Sequence, residues 1–392
     1  MKKKITLSTA VTLILLTAAL TISVTMLVAI RYFNRQVQSV SQRQAMYTHI
    51  NDVDKKVREY YPKLDEELLQ ENLTAGYVKG IGDSDAAYFT AAQYVKEQQR
   101  LSGNANDVGI TVCVNASGLM TVASVNTDSA AAKAGVKRGD TLLAIDGAEV
   151  VGRTAADVQK QLNAAEKVMI RVQRGGEALA YELAAYPYTL RSVQSTMLDT
   201  VAYIRITGFY ENTPSQFKSI LSALSEQDVS GYIFDLRNNV GGSLEAAKEI
   251  ISYLVPLGKY GYVTNADGTV TNLTAESTSP LSVSTGTLIN HTTAGEAEFF
   301  AGVLQDMSLT TVVGETSAGK AKVQEYLPLE ANGSAIKLTV GQYSRLKSGT
   351  WQDKGIVPDA TAVLTTEQQA IFPLLDTAND PQVKVALVQI GR

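Results

Sequence analysis

The chain has 392 residues, with 35 Lys+Arg, 39 Asp+Glu, two His, one Cys and a formal net charge of −4. That length exceeds one ordinary domain, and an apolar content of 45% supplies real cores, which excludes wholesale disorder. A lone Cys113 excludes an internal disulfide. The widely separated His49 and His291 argue against a His-rich metal centre, so no metal or other cofactor is expected, and the charge balance gives no nucleic-acid signature.

Lys2, Lys3 and Lys4 precede an uncharged run from Ile5 to Ile30 without Pro or Gly. As a helix, this run would span about 39 Å, more than the roughly 30 Å hydrocarbon core. A signal peptide has a shorter apolar stretch and a small-x-small cleavage site, and no convincing A-x-A occurs here. The expectation is a cytoplasmic tail and uncleaved transmembrane anchor over 1–31. The lysines outweigh Arg31 and Arg35, which places the amino terminus inside and the remainder outside a cell membrane, as a single-pass protein. The bland alternatives are a cleaved signal and a buried core helix.

Residues 32–100 read as a polar helical arm. Val53, Val57, Tyr60/Tyr61, Leu64 and Leu68/Leu69 recur at helical spacing, with breaks at Pro62 and near Gly80–Gly82. Thr90 is a candidate N-cap for a second helical piece. The arm is a stalk, a homodimerisation element, or both.

Over 101–188 the composition changes to short strands around Gly109–Val112 and Leu119–Val122. An alanine-rich helix then stops at Gly135, a buried strand covers Thr141–Ile145, and a helix covers Thr154–Leu162 before a strand at Val168–Val172. The stretch SAAAKAGVKRGDTLLAIDGAEV resembles a PDZ domain. The resemblance implies binding of peptide or protein C-termini by strand addition, with the carboxylate-capturing loop at Gly109 and Ile110. A PDZ fold used only for packing is the alternative.

From 189 to 364 strands and helices alternate, as in an α/β core. Val201–Ile206 and Gly231–Arg237 read as strands, the second leading through Asn238–Gly242 into a helix at Leu244–Leu254. Thr285–Ile289 and Thr310–Val313 are further strands around a helix from Glu296 to Met307. Residues 365–392 form a helical tail.

Six pieces in order resemble the S41 C-terminal processing peptidases, also called tail-specific proteases. They are Asp83–Thr90, the PDZ-like segment, Ala202–Phe209, DLRNNVGG over Asp235–Gly242, Gly314–Gln324, and Lys354–Asp359. The resemblance covers most of the chain. It implies an α/β (α+β) multidomain protein with a ClpP/crotonase-like peptidase core, acting as a serine endopeptidase with a Ser/Lys dyad. Lys320 falls at the family's general base and Gln324 at the residue that orients it. The backbone of Gly241, Gly242 and Glu296 falls at the oxyanion hole. A lysine base suits a chain with two histidines. Taken alone, Lys320 would read as a surface lysine at a turn.

The nucleophile departs from the pattern. Counting back from both Lys320 and Glu298, the serine position is occupied by Gly295, which has no side chain to attack with. Thr292, Glu296 and Ala297 also differ from the family pattern, and Val240 stands where it has proline. Thr293 is the candidate substitute nucleophile, with Ser243 and Ser317 as further nearby hydroxyls; His291 reads as a loop histidine. Three functions follow as alternatives: an active tail-trimming endopeptidase, a pseudopeptidase that binds tails as an adaptor or regulator, and a structural role through the 32–100 arm.

Overall fold

The computed structural model describes residues 7–275 and 282–391. They fall into two units, which divide between Leu73 and Thr74.

The first unit is dominated by helix α1 (Leu7–Tyr60), which ends just before Pro62; α2 (Glu66–Lys79) begins in this unit and ends in the next. The expected membrane-spanning helix is not reproduced. Its first residue, Ile5, and the flanking lysines lie outside the described residues. Among the described residues, no helix is long and apolar enough to cross a membrane. The uncharged run is continuous with some thirty residues of polar helix, because nothing after Ile30 breaks the backbone pattern before Pro62.

The second unit begins with β1 (Ala87–Phe89), α3 (Ala91–Leu101) and β2 (Asn104–Asp107). Thr90 caps α3 in a reciprocal capping box with Gln93. Residues 74–100 thus belong with the remainder of the chain rather than with the arm.

A six-stranded antiparallel sheet follows. It contains β3 (Ile110–Val114), β4 (Met120–Val125), β5 (Thr141–Ile145), β6 (Ala148–Glu149), β7 (Lys167–Arg174) and β8 (Glu177–Ala184), with α4 (Ala130–Ala134) and α5 (Ala155–Ala164) packed on it. Gly135 ends α4 with φ 88°, a left-handed conformation that glycine adopts without strain. Val122, Ile145, Val158, Leu162, Ile170 and Val172 are fully buried in its core. β9 (Tyr186–Thr189) returns to pair with β2, closing the module at its base.

The remaining strands build two sheets around a pair of helices. β10 (Val193–Leu198), β11 (Val201–Ile206), β12 (Gly231–Asp235), β15 (Ser284–Ile289), β16 (Thr311–Gly314) and β19 (Ala360–Thr361) form one six-stranded sheet, parallel from β11 onward. β1, β13 (Gly258–Asn265), β14 (Val270–Ala275), β17 (Lys322–Pro328) and β18 (Ala335–Arg345) form the other. α6 (Thr213–Ser225), α7 (Leu244–Leu254) and α8 (Glu296–Asp306) supply the helices, with α7 and α8 between the sheets.

Parallel strands covered on both faces alternate their burial partners with a period of two. Ala202, Ile204, Phe234 and Ile289 face α7 and α8. Val201, Tyr203, Ile233, Leu288 and Val313 pack against Val383, Ala386 and Ile390, on and just after the C-terminal helix α10 (Pro381–Gln389), which follows the short α9 (Thr366–Ile371). The larger, fully buried side chains among them, such as Ile204, Phe234 and Leu288, each contribute about 1.5–3 kcal/mol before entropy is counted.

Candidate active site

Two strand-to-helix turns of the parallel sheet meet at their C-terminal ends, where α/β folds place their sites. The first follows β12. Arg237 is buried and paired with Asp235 at 2.6 Å and with Asp380 at 2.8 Å, which locks the strand end to α10. Burial opposes ionisation of Asp235, yet Arg237 outweighs it and holds the carboxyl below its usual range.

The next residues form the glycine loop. Asn239 donates from Nδ2 to the Ile206 carbonyl and accepts from Gly241 N–H at 2.9 Å. Gly242 has φ 151°, and a Cβ there would lie 2.1 Å from the Phe209 carbonyl oxygen, so no other residue fits this close approach. The Phe209 carbonyl is held there by Ser243 N–H at 2.7 Å.

The second turn runs from β15 into α8. Gly295 adopts φ 59° and ψ −122°, a sharp strand-to-helix corner that strains any side-chain-bearing residue. Space is not the obstacle: a Cβ would meet only the Val240 carbonyl at 3.7 Å and Gly241 Cα at 3.9 Å. Gly295 N–H donates to Glu298 Oε2, and the same buried carboxylate accepts from Gly319 N–H, Lys320 N–H and the Ser317 hydroxyl. Glu298 therefore ties the corner to the Gly319–Lys320 loop.

Glu296, the first residue of α8, turns its carboxylate back over the glycine loop. Oε2 accepts from Gly242 N–H at 2.8 Å and Oε1 accepts from the Tyr343 hydroxyl at 2.7 Å. Burial raises its pKa above the usual carboxylate range, against those two hydrogen bonds. Both backbone donors expected of an oxyanion hole in the loop, Gly241 and Gly242, are thus already bonded within the chain.

Lys320 and Gln324 converge, but on Asp85. Lys320 Nζ lies 3.0 Å from Asp85 Oδ1, and Gln324 Nε2 donates to the Asp85 carbonyl at 2.9 Å. Lys322 reaches both Asp83 and Asp85. Burial opposes ionisation of Asp85, and the two lysines override it to hold its pKa low. A lysine serves as a base when it is desolvated or set beside another cation. The Lys320 side chain is 56% exposed and faces a carboxylate.

The other hydroxyls are occupied. Thr293 is wholly buried; its hydroxyl faces the Leu236 carbonyl at 3.0 Å and accepts from Asn290 N–H. Ser243 caps α7, and Ser317 bridges Glu298 and Ile356 N–H. His291 pairs with Glu315 at 3.0 Å on the exposed side of the loop. Gly109 and Ile110 lie apart from this site, at the start of β3. Among the described residues no cluster of three or more His, Cys, Asp or Glu has the geometry to hold a metal.

Sequence reasoning missed two contributors. Asp85 lies within the Asp83–Thr90 piece, where the sequence reading gave it no role of its own. Glu296 was assigned through its N–H, and only its side-chain direction reveals it as the occupant of the glycine loop.

Residues 200–362 match peptidase family S41, and residues 121–174 match a PDZ domain. The carboxy-terminal processing protease CtpA of Bacillus subtilis is 27% identical over 346 residues, which cover 86% of this chain and 73% of that protein. The carboxyl-terminal-processing protease of Synechocystis sp. is 30% identical over 308 residues, covering 75% of this chain and 70% of that protein. Among solved structures, the photosystem II D1 C-terminal processing protease has a TM-score of 0.52 at 23% identity, over 83% of this chain and 92% of that one, which marks a shared fold.

Proposed function

This chain belongs to the S41 carboxyl-terminal processing peptidases, and on that premise we propose that it is a catalytically silent member which binds protein tails without cutting them. The observation that carries the reading is the Glu296 carboxylate bonded to Gly242 N–H. An oxyanion hole works by offering unpaired donors where negative charge develops. Here the donor is spent on a carboxylate fixed in the fold.

Two further features support the same reading. Gly295 supplies no nucleophile, and Lys320 is exposed and paired with Asp85. Thr293 does not replace the missing serine, since its hydroxyl is buried and committed to the loop. Tail recognition is supported by the PDZ match, with β3 as the strand to which an extended peptide adds.

The test is direct. A peptide with an apolar carboxyl end is incubated with the full chain and with Lys320→Ala. We expect binding and no cleavage by either. Cleavage by the unaltered protein that Lys320→Ala abolishes would overturn the reading.

The uncharged run from Ile5 to Ile30 behind three lysines supports placement at a cell membrane with the C-terminal domains outside. Carbonate extraction and protease accessibility of intact cells test this; full release by carbonate defeats it.

A further inference from the structure

The inference rests on the tail-binding reading above and concerns what occupies the groove. β3 pairs with β4 along one edge, and among the described residues no strand pairs with the other. That open edge lies against α5 and is already used by a side chain. Gln159 of α5 accepts from Val112 N–H through Oε1 at 2.9 Å and donates from Nε2 to the Ile110 carbonyl at 2.8 Å. A primary amide carries the same donor and acceptor as a peptide unit, so one side chain reproduces the pair of bonds a ligand strand makes. Nε2 also donates to Asn163 Oδ1 at 2.7 Å, which fixes its direction from within the same helix.

The loop end of the groove is filled in the same way. Gly109 N–H, in the loop that would receive a terminal carboxylate, donates to Asp107 Oδ1 at 2.6 Å. Tyr188 of β9 donates to that same oxygen at 2.7 Å and accepts from Asn126. A carboxylate therefore sits on the loop amide, and a peptide-like amide sits on the strand edge, both supplied by the chain.

We propose that Gln159 and Asp107 form an internal stand-in for an extended C-terminal peptide, holding the groove shut until a tail displaces both. A tail then gains only the difference between its own bonds and those it breaks. Each displaced hydrogen bond has a modest net worth, so removing Gln159 should tighten tail binding on the order of tenfold. Asp107 adds charge repulsion against an incoming carboxylate, which an amidated peptide does not feel.

Titration calorimetry on the full chain decides it, using one peptide with an apolar carboxyl end in free-acid and amidated forms. Expected are weak binding to the unaltered protein, binding about tenfold tighter to Gln159→Ala, and faster amide exchange in β3 of that variant that slows again with peptide. Equal or weaker binding by a folded Gln159→Ala overturns the stand-in and leaves tail recognition intact. Absence of binding at millimolar concentration to both proteins overturns both. Should Gln159→Ala fail to fold, Asp107→Asn carries the test. It should tighten the free acid more than the amide, and an equal effect on the two sinks the proposal.

Discussion

The carboxylate of Glu296 accepts a hydrogen bond from the backbone N–H of Gly242 at 2.8 Å, joining the first turn of α8 to the glycine loop after β12. The two residues are 54 apart in the chain and adjacent only because β12 and β15 are neighbours in the sheet. A loop that in a peptidase would wait for developing negative charge is here satisfied beforehand.

On the proposed reading, restoring the serine alone is not expected to restore chemistry. Gly295→Ser is expected to show no hydrolysis above blank, because the donor stays occupied and Lys320 stays paired with Asp85. The variant should also lose about 1–3 kcal/mol of stability, since serine enters a positive-φ corner. Adding Glu296→Ala and Asp85→Ala frees both partners, and activity is expected only there. Hydrolysis by the single variant would show that the loop donor is available after all.

The pH dependence of Glu296 has a definite sign. Its folded pKa is raised by burial above the ordinary 4.5, so its contribution is fully present below that value and is lost as pH rises through the folded one. Glu296→Gln does not titrate. Relative to wild type, it should therefore gain stability between pH 4 and pH 8 in urea unfolding. A constant difference across that range contradicts the assignment.

Asp83 behaves oppositely. The Lys322 ammonium and then the Thr339 hydroxyl lower its carboxyl from 3.8 to about 2, and it is largely shielded from solvent. Its contribution is present above pH 3.8 and disappears as pH falls toward about 2, a loss of about 2 kcal/mol. Asp83→Asn should accordingly be less stable than wild type at pH 6 and nearly equal to it at pH 2, by urea midpoints.

Glu298 is the clamp between the two catalytic-type loops. Replacing it with alanine strands Gly295, Gly319 and Lys320 N–H groups and the Ser317 hydroxyl. Each buried donor left without a partner costs about 1–3 kcal/mol, and partial relaxation leaves an expected loss of about 3 kcal/mol or more. Denaturant unfolding of Glu298→Ala measures it; a change below 1 kcal/mol would show that water replaces the carboxylate.

Much of this was readable in one dimension. Thr90, Gly135 and the break at Pro62 are local signals, and each marks an element boundary through its own backbone chemistry. Val201–Ile206 read as a strand, and the structure buries it along nearly its whole length. The position of Gly295 followed from counting to Lys320 and Glu298. The boundary read at residue 31 falls inside one continuous helix, α1, because polar residues after Ile30 end an apolar run without ending a helix.

What the sequence determined by itself is family, element order and the absence of a side chain at residue 295, all set by local spacing and residue type. What only the tertiary structure decided is where the surviving charges point. Lys320 finds Asp85 across 235 positions, and Gln159 finds Ile110 across 49. A hydrogen bond depends on direction and distance to within a few tenths of an ångström, and only the packing of strands and helices brings such partners together.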